Sequence, residues 1–223
     1  MGVLVAQRKL LVWLHVVSSV GWMSQALALF ALTTYALGSN GTSRTGAFEM
    51  AKVIDADVLR FMATTSAFTG FMLSALTSWG YFRHWWVLVK FAITLAQLYA
   101  GIFVLSPNLD LGENGNPTMT RAGSLLMASA LAVQAWLSVA KPGKRTPWTP
   151  PGRFPTAPGW VTGICVVIPL IDYLLFHGIP ALSLLVAIAY PMWRRWKVTP
   201  RQSATTTRPR RLREENDLTH HQN

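Results

Sequence analysis

A single cysteine, Cys165, stands in the 223 residues, so an internal disulfide and any Cys-x-x-Cys metal or redox motif are excluded. Charge is scarce. Asp, Glu, Lys and Arg make up 13% of the chain, about half of the roughly 25% usual in a soluble domain. Acid is scarcer still, with 9 Asp and Glu against 20 Lys and Arg and a net charge of +11. No polar stretch is long enough to enclose a second core. No Ser–His–Asp set, Gly-rich phosphate loop or paired carboxylates can be read in the chain. A strongly basic chain invites a nucleic-acid partner. Here the basic residues sit at the ends of apolar runs, as membrane topology determinants do, so no nucleic acid is expected.

What the chain does have is apolar sequence in long runs, 51% of its residues being hydrophobic. A bilayer core of about 30 Å needs roughly 20 apolar residues as a helix. The runs predict membrane helices over residues 10–37, 58–78, 85–105 and 123–140. The first follows Arg8 and Lys9 and is too long for the apolar part of a signal peptide, so it reads as a retained helix. A last apolar region, 160–193, is broken by His177-Gly178-Ile179-Pro180 into 160–176 and 181–193, either two thin spans or a re-entrant hairpin. The expected fold is all-α: a polytopic transmembrane bundle of four core helices plus a C-terminal hairpin or span pair, six membrane segments in all.

Charge parity orients the helices, because positive gaps face the cytoplasm. Arg8 and Lys9, then Arg83, then Lys141, Lys144, Arg145 and Arg153, and then the stretch from Arg194 onward fall in alternate gaps. Glu49, Asp55 and Asp57, and then Asp110 and Glu113, occupy the others. Both termini are therefore expected in the cytoplasm of a bacterium, with the protein in its plasma membrane. Residues 1–197 read as the bundle. Residues 198–223, rich in Thr, Arg, Pro, Gln and Asn, read as a disordered basic tail. Besides lipid, a membrane-protein partner or a second copy of the chain is an expected neighbour.

Ionisable groups inside spans are costly and usually have a partner or a task. His15 and Lys90 both fall about 8–9 Å inside their helices from the cytoplasmic end, at about 1.5 Å per residue. Ser19 and Trp22 share the face of His15. A neutral imidazole suits haem iron, and a neutral Lys amine can supply a second ligand. His15 and Lys90 are thus candidate cofactor ligands, with His15 the candidate metal ligand. The alternatives are a His15 hydrogen-bonded to a neighbouring helix and a Lys90 reaching back to the headgroups. At the other end, depth allows a structural ion pair between Arg60 and Asp172, with Asp57 as a rival partner. His177 reads as a turn residue. Gln25, Gln97 and Gln134 are expected to bond between helices.

Two stretches carry a resemblance. One is Leu11-Val12-Trp13-Leu14-His15, continuing to Gly21-Trp22-Met23; the other is Thr69-Gly70 followed by Trp79-Gly80-Tyr81-Phe82-Arg83-His84-Trp85-Trp86 and Val89-Lys90. The pattern resembles a domain-of-unknown-function family of small bacterial integral membrane proteins. More distantly, it is similar to the HemJ-type protoporphyrinogen oxidases and the CopD-type copper-resistance membrane proteins. The resemblance covers about residues 8–140. It implies haem b held by His15 and Lys90. Ser24–Phe30 and Tyr99-Ala100 depart from the oxidase pattern and argue against porphyrinogen oxidation. Three functions follow as expectations: a b-type haem-binding redox bundle, a non-catalytic accessory subunit of a membrane complex, or a small-solute or ion transporter using Arg60, Asp172 and the broken last helix.

Overall fold

A computed structural model describes residues 2–77, 80–147, 149, 158–176 and 180–206. Among them the chain forms six continuous helices and no strand, an all-α bundle as expected. The first is α1 (Gly2–Gly38). The second, residues 41–76, joins α2 (Gly41–Val53) to α3 (Arg60–Leu76) through a π turn at Ile54–Leu59. The third, 85–110, joins α4 (Trp85–Ala100) to α5 (Ser106–Asp110) through a second π turn at Gly101–Leu105. Then come α6 (Pro117–Ala140), α7 (Gly159–Phe176) and α8 (Ala181–Thr206). The chain divides into two compact units, Met1–Leu184 and Leu185–Asn223, with the division inside α8. The helix itself runs to Thr206. His177 lies outside the described residues.

Three stretches, Arg8–Gly38, Trp85–Asp110 and Pro117–Ala140, are long and apolar enough to cross a membrane, and 160–175 and 181–193 are shorter apolar helices. Polarity is arranged inside out. Ser18, Thr33, Thr65, Ser66, Thr69, Gln97, Ser124 and Gln134 are buried, while Trp13, Val16, Val20, Leu126, Trp136 and Val139 are exposed. In water such an apolar exterior would be an aggregation surface; against lipid tails it is the solvated one.

In unit 1, α1 is the hub, packing on α2, α3, α6 and α7. Trp22 and Ala26 of α1 meet Ala63 of α3 and Met127, Ala128 and Leu131 of α6 in one core. Buried positions 120, 124, 127, 128, 131, 134 and 137 mark one stripe of α6, so Ser124 and Ala128 face the bundle while Ser129 and Ala132 are exposed. A second core joins Leu29 and Ala36 to Ala47, Phe48, Ala51 and Leu109. That core corrects the reading of residues 38–57 as a gap. Their charges interrupt the apolar run, but Ala47, Phe48 and Ala51 recur at helical spacing and lay α2 back along α1.

Sequence accounts for one of the π turns. Pro107 has no N–H to give the Phe103 carbonyl and its ring would crowd that carbonyl, so the preceding turn widens, with Gly101 at its start. Asn116 caps α6, accepting from Met119 N at 3.0 Å, and Pro117 takes the first helical position, where no N–H is needed.

Candidate functional site

Both halves of unit 1 carry polar side chains between helices, and they are built differently. At the N-terminal end of α1, His15 faces α3. Its Nδ1 lies 3.0 Å from the Ser66 carbonyl and 3.1 Å from Thr69 Oγ1. A carbonyl only accepts, and Thr69 Oγ1 gives its own proton to the Thr65 carbonyl at 2.7 Å, so Nδ1 carries the hydrogen in this arrangement. Nε2 takes part in no hydrogen bond among the described residues. Ser19 Oγ meets Ser66 Oγ at 2.7 Å one turn on. The ring lies on Gly70, where an added Cβ would stand 2.9 Å from Cε1. Thr69-Gly70 and the first-helix motif therefore meet in space, far apart as they are in sequence.

Lys90 turns to α6. Its Nζ donates to Ser138 Oγ at 2.6 Å, and Ser138 donates in turn to the Gln134 carbonyl at 2.9 Å. Thr94 donates to Gln134 Oε1 at 2.9 Å, Gln134 Nε2 to Gln97 Oε1, and Gln97 Nε2 to the Met127 carbonyl at 3.0 Å. Gln97 and Gln134 thus bond between helices as expected, in a ladder zipping α4 to α6. The two expected ligands lie at the same end of the bundle, but their described hydrogen bonds run to different helices.

The expected Arg60–Asp172 ion pair is not formed. Arg60 Nη2 lies 3.9 Å from Asp55 Oδ2 instead. The π turn explains the choice, because Arg60 N–H bonds the Asp55 carbonyl five residues back and so brings residues 55 and 60 onto one face. Asp172 is buried and committed elsewhere. Its Oδ1 accepts from Leu182 N at 2.9 Å and its Oδ2 from Ser183 N at 2.8 Å, satisfying two otherwise orphan amides at the start of α8. Asp57 does not replace it as a partner of Arg60.

Around Asp55 the packing opens. A cavity of about 350 Å³ lies between α1, the two π turns and α6. Trp22, Leu98, Ile102 and Met127 give it apolar walls. Asp55, Arg60, Ser106, Asp110 and Thr120 are its polar lining at one end, and Gln97 brings the α4–α6 ladder to its edge. Ser106 Oγ donates to Asp55 Oδ2, tying the two widened helices together. Nothing in the order of residues marks this site except Pro107 and the acids in an otherwise acid-poor chain. Pro180, next to the α8 residues that Asp172 caps, closes one side.

Outside the spans, the turn 80–84 clasps residues 145–149. Thr146 N donates to the Arg83 carbonyl at 3.0 Å and Thr149 Oγ1 to the same carbonyl at 3.2 Å. Burial first, then the charges of Arg145 and Arg83, holds the His84 imidazole below its ordinary value of 6.5. Among the described residues no group of three or more His, Cys, Asp or Glu side chains is placed to hold a metal ion. No protein-family model, curated protein or solved structure matches this chain.

Proposed function

We propose that this is a multi-pass membrane protein whose cavity binds a small molecule and passes it between the bilayer and one of its faces. The cavity carries this reading. Its volume of about 350 Å³ lies at the lower end of the roughly 300–1,000 Å³ common for ligand sites, and its apolar walls with a few convergent polar groups follow the same pattern. Both π turns open onto it, and wide turns of this kind recur at functional sites. The alternation of basic gaps supports a bacterial plasma membrane with both termini cytoplasmic. That puts the His15 end inward and the cavity end outward. Purified protein screened against small amphipathic compounds should show compounds that raise Tm by mass action. Ser124→Leu and Thr64→Trp, which fill the cavity from a buried and a part-exposed position, should remove those shifts. Shifts that persist in both filled variants would sink the proposal.

A second reading keeps His15 as an axial ligand of haem b. The observation favouring it is the Nδ1–H anchored on the Ser66 carbonyl, which leaves the lone pair on Nε2, as second-shell partners of metal-bound histidines do. Bound there, haem would supply one-electron chemistry, with His15 holding it and the amine of Lys90 as the only other candidate ligand. Protein from haem-replete cells should then show a Soret band that His15→Ala abolishes. A colourless wild-type preparation would remove this reading and leave the first untouched.

A further inference from the structure

We infer that the cavity selects a small amphipathic cation, an ammonium head on a short apolar body, with Asp55 as the group that receives the head and Arg60 as the internal cation it displaces. The inference rests on the reading of the cavity as a binding site. It adds the charge and shape of the occupant.

The charge follows from a count of the lining. Two carboxylates, Asp55 and Asp110, share the cavity with one guanidinium, Arg60. The nearest lysine on α2, Lys52, is bound to Glu49 at 3.0 Å. Asp110 is exposed and screened by water, so the charge that weighs most in the apolar part of the cavity is that of Asp55, which Arg60 meets only at 3.9 Å.

The geometry says which carboxylate takes the head. Asp55 Oδ2 accepts from Ser106 and faces Arg60, whereas Oδ1 takes part in neither contact, and Asp55 lines the cavity. The Arg60 contact is 3.9 Å, well beyond the roughly 2.7–2.9 Å of a charge-assisted hydrogen bond. Its two partners also differ in access to water. The Arg60 side chain is 47% exposed and that of Asp55 12%. An arriving ammonium can therefore replace a guanidinium that already keeps its water, and Arg60 can swing outward while Asp55 stays on Ser106. The shape follows from the walls. The charged groups gather near the π turns, and Trp22, Leu98, Ile102 and Met127 leave room for an unbranched apolar body away from them.

The test uses the full-length protein in nanodiscs of zwitterionic lipid, with empty nanodiscs subtracted. Three probes share one tail and differ in the head: octylammonium, octanol and octanoate. Octylammonium should bind at least tenfold more tightly than either of the others. Asp55→Asn should erase that preference while keeping a hydrogen-bonding group for Ser106, and Asp110→Asn should weaken it. Arg60→Gln, which removes the competitor, should strengthen octylammonium binding severalfold. If octanol or octanoate binds as tightly as octylammonium, and still loses its site in Thr64→Trp, the cation assignment is overturned and the cavity remains a binding site. If none of the three saturates, or if binding survives Thr64→Trp, the cavity reading fails and takes this inference with it.

Discussion

The two ends of the bundle use similar residues to opposite effect. At one end His15, Ser19, Ser66, Thr69, Lys90 and Ser138 are drawn together until their hydrogen bonds run from helix to helix. At the other, Asp55, Arg60, Ser106 and Asp110 stand around a space. Backbone spacing makes the difference. Near His15 a glycine, Gly70, lets two regular helices approach closely, while near Asp55 two π turns widen the helices. Burial of polar side chains is thus common to both ends, and what separates them is the space beside Asp55.

Adding one methyl group at each end is the most direct way to break that contrast. Gly70→Ala brings a Cβ to 2.9 Å from His15 Cε1 and should destabilise the protein by about 1–3 kcal/mol, the usual cost of overpacking. Gly101→Ala meets nothing nearer than Met127 Cε at 3.9 Å and should be neutral to within about 0.5 kcal/mol. Denaturation of both variants in the same detergent checks the pair, and equal losses would erase the distinction between a packed end and an open one. Next in size, Asp172→Ala leaves Leu182 N and Ser183 N without their acceptor. It should cost about 1 kcal/mol, as a lost helix N-cap does. Because Pro180 closes the cavity, it should also weaken any ligand-induced rise in Tm, whereas Asp172→Asn should keep most of both.

The smallest effect concerns the clasp at the packed end. The folded-state pKa of His84 lies below its unfolded value, so folding favours the neutral ring. The stability this contributes is complete above about pH 6.5 and is lost as pH falls through that value toward the folded pKa. Amide exchange at Thr146, whose N–H bonds the Arg83 carbonyl, should therefore quicken modestly on acidification. His84→Gln should flatten the response. Exchange in the wild type that is indifferent to pH, after correction for the intrinsic rate, would remove His84 from the clasp.

Most of the helices were legible because lipid imposes a simple rule, that apolar runs of sufficient length become helices, and residues 85–105 and 123–140 fall inside the helices found. Residues 41–57 were not legible as helix, because Arg44, Glu49, Lys52, Asp55 and Asp57 read as a gap, and the faint periodicity of Ala47, Phe48 and Ala51 was the only opposing signal. That His15 and Lys90 fall toward the same end of the bundle was legible, whereas the turning of Lys90 toward Ser138 depended on how α4 rotates against α6. The partner of Arg60 lay beyond any reading based on regular helices. Residues five apart on an α-helix point about 140° away from each other, and only the π turn makes Asp55 and Arg60 neighbours. A pairing inferred from depth alone chose Asp172, whose carboxylate the backbone of α8 had already taken.

The exposed apolar exterior decides what a melting curve of this protein measures. Helices whose outer faces are Val16, Val20, Leu126 and Val139 keep their backbone hydrogen bonds when separated in lipid or detergent, since an unpaired amide there costs several kcal/mol. The state at the top of a thermal transition is then a set of dissociated helices, still coiled and still solvated by acyl chains. Far-ultraviolet circular dichroism should change little through such a transition, while the tyrosine and tryptophan signals of the interfaces change with it. Each free-energy difference predicted above is accordingly a cost of assembly between helices that already exist.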